Sequence, residues 1–167
     1  MIELLLVRHA IAFERDRLRW PDDALRPLTA RGRLRMRRAA AGLRRLDLRP
    51  ARVFTSPLVR ARQTAELLTS GARWPRAQVT RALAPAQPVR GIFRLLAEQE
   101  SARLAVVGHE PELGELLAYC IGGESGRASV DFRKGGITCV SFGDTMRPGG
   151  GELRWLLPPR MLRALAR

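Results

Sequence analysis

Two short apolar segments, each followed at once by a histidine, constrain the fold of this 167-residue chain more than any other feature. Residues 2–8 form an apolar segment that ends in Arg8, and His9 comes directly after it. Residues 104–108 form a second one, which His109 follows. Apolar runs of this length are typical of strands that are buried on both faces of a parallel sheet. Ligands bind at the carboxyl edge of such sheets, so we expect the two histidines of the chain to share one site.

The order of the apolar patterns predicts the fold class. Short apolar runs alternate with longer amphipathic ones, which favours an α/β fold with three α/β/α layers around a mostly parallel sheet. We expect strands at residues 2–8, 51–55, 78–81, 103–108, 137–142 and 152–157, and helices at about 30–46, 57–70, 91–100 and 111–122. Thr29 is expected to cap the first helix and Ser56 the second, with Pro57 at its first position. No interior linker divides the chain, so we expect one domain over residues 1–167.

The charge of the chain limits the classes of partner. Thirty lysines and arginines against sixteen aspartates and glutamates give a formal net charge of +14. Such an excess is compatible with a polyanion as partner, and nucleic-acid binding is one alternative function of the chain. However, the arginines are spread along the sequence, which lacks zinc-finger spacing, basic-zipper heptads and abundant aromatic residues. We therefore expect a solvated basic surface and no dedicated nucleic-acid site.

Hydropathy and cysteine usage indicate the compartment. No apolar stretch approaches the roughly 20 residues that span a bilayer. The first residues lack the basic start and the long apolar core of a signal peptide. We expect a cytoplasmic protein without a membrane partner, in which Cys120 and Cys139 are buried thiols.

Arginines and histidines come together at three predicted strand ends. Arg8 and His9 follow the first strand, Arg60 lies on the first turn of the helix after the second, and His109 follows the fourth. A helix begins just after Glu110, and helix N-termini favour anions. Guanidinium groups bind phosphate oxygens in a bidentate way, and a neutral imidazole is a competent nucleophile toward phosphorus. The set therefore predicts phosphoryl transfer through a phosphohistidine, with arginines stabilising the charge on the phosphoryl oxygens.

These residues do not indicate a metal site. The two histidines do not form an HxxxH pair, and no acidic residue stands at ligand spacing beside them. We expect no metal and no cofactor, and we expect phosphate or a similar anion as the ligand of the pocket. A module that binds phosphate without catalysis is the non-enzymatic alternative.

Four segments resemble the histidine phosphatase superfamily, in the branch that carries an RHG motif. Arg8-His9-Ala10 resembles that motif, with alanine in place of the usual glycine. Residues 55–65 resemble the S-P-x-x-R-A-x-Q-T-A segment of the family, and residues 107–111 resemble its G-H-x-P segment. Residues 26–32 are similar to the R-P-L-T-x-x-G run of the SixA-type phosphohistidine phosphatases. The resemblance covers almost the whole chain and implies a fold like that of phosphoglycerate mutase.

The resemblance also implies roles for the residues of the site. His9 would attack phosphorus and carry the phosphoryl group, Arg8 and Arg60 would bind its oxygens, and His109 would donate a hydrogen bond to it. Supporting or substrate-side positions are implied for Ser56, Arg26 and Glu110. The implied substrate is a phosphohistidine on a phosphotransfer domain or a phosphocarrier, which is an activity in signal transduction.

One departure from the ester-cleaving members of the family bears on the substrate. Those members keep a carboxylate in the loop after the third strand to protonate an alkoxide, whereas residues 83–88 hold no acid here. An alkoxide leaves poorly without a general acid, but an imidazole can take its proton from solvent. The chain also has little length left to enclose a small molecule, so we expect P–N cleavage on a protein.

A broad phosphomonoesterase or a mutase-like enzyme remains the enzymatic alternative. Such an enzyme would need a carboxyl group from elsewhere in the chain. The carboxyl groups close to the site in sequence belong to Glu14, Asp16, Asp22, Asp23 and Glu110. Glu110 lies nearest to a site histidine, where its side chain can also serve to support the start of a helix.

Overall fold

The computed structural model describes residues 1–166, in which a six-stranded sheet forms the centre. Its strands are β1 (Ile2–Arg8), β2 (Arg52–Thr55), β3 (Gln78–Val79), β4 (Arg103–Gly108), β5 (Ile137–Phe142) and β6 (Glu152–Leu157). Their order is β3-β2-β4-β1-β5-β6, in which the first four are parallel while β5 and β6 each pair antiparallel. The predicted α/β fold with a mostly parallel sheet is confirmed.

Five α-helices within residues 1–166 cover the two faces of the sheet. They are α1 (Ala30–Arg45), α2 (Val59–Ala72), α3 (Val89–Ala97), α4 (Glu112–Gly122) and α5 (Pro159–Leu165). Core residues of α1, α2 and α5 pack on one face, and those of α3 and α4 pack on the other, which gives the three predicted layers. No helix in residues 1–166 combines the length and the apolar character that crossing a membrane requires.

The central strand β1 explains why the two layers of helices enclose the sheet. Alternate side chains of a strand point to opposite faces, so Leu5 and Val7 pack under α1 and α2 while Leu4 and Leu6 pack under α3 and α4. All four are at most 1% exposed. Full burial of one such side chain stabilises the fold by about 1.5–3 kcal/mol. The apolar run that opens the chain is therefore the centre of both cores.

The start of α2 differs from the prediction. The helix begins at Val59 after an N-cap residue, Leu58, that makes no side-chain cap, so Ser56 is not the N-cap. The Ser56 hydroxyl instead lies 2.7 Å from the Nε2 atom of His109, a tertiary contact that a local capping pattern does not reveal. The helix also continues past the predicted end at Ser70 and ends at Ala72, and its C-cap residue Arg73 has a left-handed backbone with φ of 60°.

The C-terminal helix α5 was not predicted, and its contact with α1 depends on one glycine. A Cβ atom at Gly42 of α1 would lie only 1.9 Å from the carbonyl oxygen of Leu162 in α5. Leu162 is fully buried beneath α1. The backbones of the two helices are therefore in direct contact at Gly42. A residue larger than glycine would not fit at this position without moving the helices apart.

Replacing Gly42 is expected to destabilise the protein through this close approach. Gly42→Ala should lower the free energy of unfolding by about 1–3 kcal/mol, because the new methyl group overpacks the α1–α5 contact. The measurement is urea-induced unfolding followed by circular dichroism.

A matched control for this change lies at Gly91 in α3, where an added Cβ would meet no atom within 4 Å. Gly91→Ala should stabilise the protein by about 0.5–1 kcal/mol through reduced backbone entropy. Equal stability of the two variants would contradict the structural role given to Gly42.

Candidate active site

The two histidines of the chain lie side by side at the carboxyl edge of the sheet. The strands β1 and β4 pair directly, and their register places Arg8 opposite Gly108. His9 and His109 therefore leave neighbouring strands at the same level. Their ring centroids are 5.2 Å apart, and they are only 6% and 4% exposed.

A hydrogen bond to the backbone fixes the orientation and tautomer of His9. Its Nδ1 atom lies 2.7 Å from the carbonyl oxygen of Ala10. A carbonyl oxygen only accepts hydrogen bonds, so the proton of the neutral ring must be on Nδ1. The lone pair is then on Nε2, which is the atom that can act as a nucleophile.

Both histidines are neutral at physiological pH. Burial, with the charges of Arg60 and Arg8 in support, lowers the pKa of His9 from 6.5 to about 3, although its bond to Ala10 acts in the opposite direction. Burial also lowers the pKa of His109 to about 3, and the charges of His9 and Arg60 lower it further. A group with a lowered imidazole pKa stays unprotonated until the pH falls well below 6, so His9 keeps its lone pair at neutral pH.

Ser56 is the hydrogen-bond partner of His109. Its hydroxyl oxygen accepts from the backbone N–H of Leu58 at 3.3 Å and lies 2.7 Å from Nε2 of His109. The direction of this second bond follows the tautomer of the ring, because a hydroxyl can both donate and accept. Nδ1 of His109 is buried and has no partner among residues 1–166. In the Nδ1–H tautomer, Ser56 would donate to Nε2 and Nδ1–H would be available to a phosphate oxygen.

Buried arginines surround the histidines. Arg60, at the first turn of α2, is 3% exposed and donates to Asp23 with both terminal nitrogens, to the carboxylate at 3.0 Å and to the carbonyl oxygen at 2.9 Å. Arg26 is also buried and donates from Nε to the same carboxylate at 2.7 Å. Arg8 donates to the carbonyl oxygen of Phe132 at 2.5 Å. The Nε–H groups of Arg8 and Arg60 are buried and unpartnered within the described chain, so donors remain for an anion.

The carboxyl groups near the site differ in their suitability as proton donors. The hydrogen bond from Arg26, followed by the charge of Arg60, lowers the pKa of Asp23, which is therefore ionised at neutral pH. Burial raises the pKa of Glu110, whose carboxylate accepts a hydrogen bond from the backbone of Gly114 in the first turn of α4. The exposed side chain of Asp16 caps its own turn, and Asp22 does the same. Burial thus shifts the pKa of Glu110 toward the protonated form, in the direction opposite to that of Asp23.

Two residues of α2 have structural functions that the sequence pattern did not indicate. The hydroxyl of Thr64 accepts a hydrogen bond from the backbone N–H of Ala10 at 3.0 Å and donates to the carbonyl oxygen of Arg60 at 2.7 Å. Gln63 accepts from the backbone N–H of Leu28 at 2.9 Å. These bonds tie the segment after β1 to α2, so that His9 and Arg60 are held in one arrangement.

The described residues also bear on metal binding. No group of three or more histidine, cysteine, aspartate or glutamate side chains in residues 1–166 is placed to hold a metal ion. Cys120 and Cys139 are buried and free, in the cores on opposite faces of the sheet. The site thus consists of two neutral imidazoles and at least two guanidinium groups with free N–H donors.

Sequence comparisons relate the chain to a known family. A family model of the histidine phosphatase superfamily (branch 1) matches residues 4–84, a range that includes Arg8, His9 and Arg60. The chain is 38% identical over 145 residues to an uncharacterized protein of Picosynechococcus sp., covering 85% of this chain and 86% of the relative. It is 28% identical over 166 residues to the phosphohistidine phosphatase SixA of Escherichia coli, covering 97% of each.

Structural comparisons agree with the sequence relatives. A structure of the protein histidine phosphatase SixA complexed with tungstate matches with a TM-score of 0.81 and 27% identity, over 96% of this chain and 99% of that one. The α-ribazole phosphatase of Shigella flexneri matches with a TM-score of 0.64 and 21% identity, over 95% and 97% of the chains. At that identity, the second match indicates the fold alone.

The protonation of the two histidines is directly measurable, because the chain has no others. In two-dimensional NMR spectra of the ring nitrogens, His9 and His109 should both show the Nδ1–H tautomer at pH 7. Since their pKa values are lowered to about 3, neither should titrate between pH 8 and pH 5. A titration midpoint near 6.5 for either ring would contradict this account of the site.

Ser56→Ala provides the control for the tautomer. It removes the hydroxyl that lies 2.7 Å from Nε2 of His109 and leaves the bond between His9 and Ala10 in place. The signals of His109 should therefore change while those of His9 stay in the Nδ1–H form.

Proposed function

The chain belongs to the histidine phosphatase superfamily, and we propose that it hydrolyses the P–N bond of a phosphohistidine carried by another protein. The observation that carries this proposal is the protonation state of two groups of the site, the imidazole of His9 and the carboxyl group of Asp23. His9 is a neutral nucleophile among arginines, and Asp23, the carboxylate that pairs with Arg60, is held ionised by Arg26. Such a site favours a leaving group that does not depend on a carboxylic acid.

The first step of the proposed reaction forms a phosphoenzyme. Nε2 of His9 attacks phosphorus opposite the substrate nitrogen, and a new P–N bond forms as the old one breaks. The electron pair of the old bond stays on the substrate imidazole, which takes a proton from water. Arg8 and Arg60 stabilise the charge on the phosphoryl oxygens, and Nδ1–H of His109 donates a hydrogen bond to one of them.

The second step regenerates His9. Water attacks phosphorus, the bond between phosphorus and Nε2 breaks, and inorganic phosphate leaves with the oxygen of that water. The electron pair returns to Nε2, so the ring is again neutral with its proton on Nδ1. The bond from His9 to the Ala10 carbonyl supports both steps, because it keeps Nε2 directed at phosphorus throughout.

The nature of the leaving group supports P–N over P–O cleavage. The loop over residues 83–88 carries no acid, and its Ala86 backbone N–H is occupied by the carboxylate of Glu112 at 2.8 Å. An alkoxide leaving group needs a proton donor in the transition state, whereas an imidazole leaves as a stable neutral base once it is protonated. The relatives named SixA are phosphohistidine phosphatases, which is consistent with this preference.

The proposal extends to the partner and the setting. The substrate is a histidine-containing phosphotransfer domain or a phosphocarrier in cytoplasmic signal transduction, and one domain over residues 1–167 performs the reaction. No metal or cofactor takes part in the proposed steps. Ester hydrolysis is the second candidate, because the raised pKa of Glu110 would suit it to protonate an alkoxide.

Trapping the phosphoenzyme tests the first step. After brief incubation with a phosphorylated phosphotransfer domain, the protein should carry acid-labile, base-stable phosphate on His9, located by mass spectrometry. His9→Asn should carry none and should lose at least about 10³-fold in kcat, because the nucleophile is gone. Retained turnover in this variant would exclude the mechanism and indicate a different nucleophile.

The leaving-group preference is tested with two small substrates. The value of kcat/KM for phosphoramidate should exceed that for glycerol 2-phosphate, whose alkoxide needs a proton. Glu110→Gln should change phosphoramidate hydrolysis by less than about threefold, because no carboxylic acid is required. A preference for the ester, lost by about 100-fold in Glu110→Gln, would replace the proposal by the phosphomonoesterase alternative.

A further inference from the structure

A basic cleft opens beside the phosphate pocket. It has a volume of about 790 Å³ and lies between α1, α5 and the segment that precedes β5. Six cationic side chains line it, namely Arg8, Arg35, Arg133, Lys134, Arg160 and Arg163. The one carboxylate among its lining residues belongs to Asp131, which is paired with Arg133 at 2.6 Å. The cleft thus concentrates positive charge next to the site of reaction.

The cations of α1 and α5 in this cleft lack counter-charges. Within residues 1–166, neither Arg35 nor Arg163 is within ion-pair distance of a carboxylate. Burial, followed by repulsion from Arg35 and Arg38, lowers the pKa of Arg163, which reflects the crowding of like charges. Like charges held together without a partner cost free energy, and the binding of an anionic ligand would recover it.

Apolar side chains also line the cleft. They are those of Ile11, Met36, Ala39, Leu156, Pro158 and Pro159. A free oligophosphate or a nucleic-acid backbone would use the cations and leave these apolar side chains uncovered. An amphipathic protein segment would use both, with its apolar residues on these side chains and its acidic residues on the arginines. The combination therefore selects a protein partner over other polyanions.

Arg8 joins this cleft to the phosphate pocket. Its guanidinium lines the cleft and donates to the carbonyl oxygen of Phe132, between the paired residues Asp131 and Arg133. Arg8 also directly precedes His9 in the chain. One partner protein could therefore place a segment in the cleft and its phosphohistidine at His9 at the same time.

We propose that the cleft between α1 and α5 is the docking site for an acidic, amphipathic segment of the phosphoprotein substrate. The identity of the bound protein as the substrate rests on the proposed function, whereas the binding of the segment does not. Docking supplies affinity for the protein and leaves the chemistry at His9 unchanged. Substrates without such a segment gain nothing from the cleft.

Charge reversal tests the proposal. Arg35→Glu/Arg163→Glu should lower kcat/KM at least about tenfold toward an acidic phosphotransfer domain phosphorylated on histidine, mainly through KM. Hydrolysis of phosphoramidate should change less than twofold, about the scatter of such assays, because the reacting groups are untouched. The dependence of kcat/KM on salt concentration should become shallower for the protein substrate alone.

The control variant carries the same change in charge elsewhere. Arg37→Glu/Arg76→Glu alters two exposed arginines that do not line the cleft, one on α1 and one just before β3. Its kcat/KM toward the phosphoprotein should stay within about threefold of wild type, which is the effect expected of general charge alone. The single variant Arg160→Glu changes an exposed cleft residue and provides a second test should the first pair unfold.

A binding measurement separates this proposal from the proposed function. The probe is a fluorescent helical peptide of glutamate and leucine residues, and its affinity is measured by anisotropy without any turnover. Failure of the wild type to dephosphorylate any phosphohistidine protein would overturn the proposed function, while weaker peptide binding by Arg35→Glu/Arg163→Glu would still support the cleft. Equal weakening by the control pair overturns the docking site. Tighter binding of tripolyphosphate or duplex DNA than of the peptide also overturns it.

Discussion

The pairing of β1 with β4 is the interaction on which the site depends. The two strands are parallel, and the register that sets Arg8 opposite Gly108 continues in a hydrogen bond from the His9 backbone N–H to the carbonyl oxygen of Gly108 at 3.0 Å. A shift of one residue would turn the apolar side chains of β1 to the wrong faces and carry His9 away from His109. Burial on both faces of the sheet therefore fixes the fold and the distance between the two imidazoles at the same time.

Charge at the site is balanced so that the imidazoles stay neutral while the guanidinium groups stay available. Burial makes imidazolium costly, and the nearby arginines raise that cost, so both rings have lowered pKa values. The arginines tolerate burial because each finds oxygen atoms of the chain itself, with Asp23 serving Arg60 and Arg26. In the proposed reaction this separates two roles, since His9 attacks without a charge while Arg8 and Arg60 supply the positive charge that binds the anion.

The sequence predicted the strands more accurately than the ends of the helices. The bounds of β1, β5 and β6 agree with the prediction, because unbroken or alternating apolar patterns are read directly from the chain. The helix α5 escaped prediction because its seven residues are too few to show a period, and its stability comes from contact with α1.

The histidines and arginines of the candidate site were also visible in the sequence, because each follows a strand. Ser56 and Asp23 were candidates near the site, but the contacts that they make were not predicted. Ser56 is 53 positions away from His109 along the chain, and Asp23 lies between β1 and α1 in a segment whose path no local pattern specifies. Such contacts depend on how distant segments of the chain pack together. This packing leaves no periodic pattern in a single sequence from which it could be predicted.

The ion pair between Asp23 and Arg60 has a consequence for turnover. Every phosphatase must part with the phosphate it makes, and a pocket of uncompensated guanidinium groups would retain that product. Asp23 already occupies two terminal nitrogens of Arg60 through its carboxylate and its carbonyl oxygen, so an anion must share this arginine with it. We expect this competition to weaken the binding of free phosphate and to limit product inhibition, while Arg60 keeps its charge for the transition state.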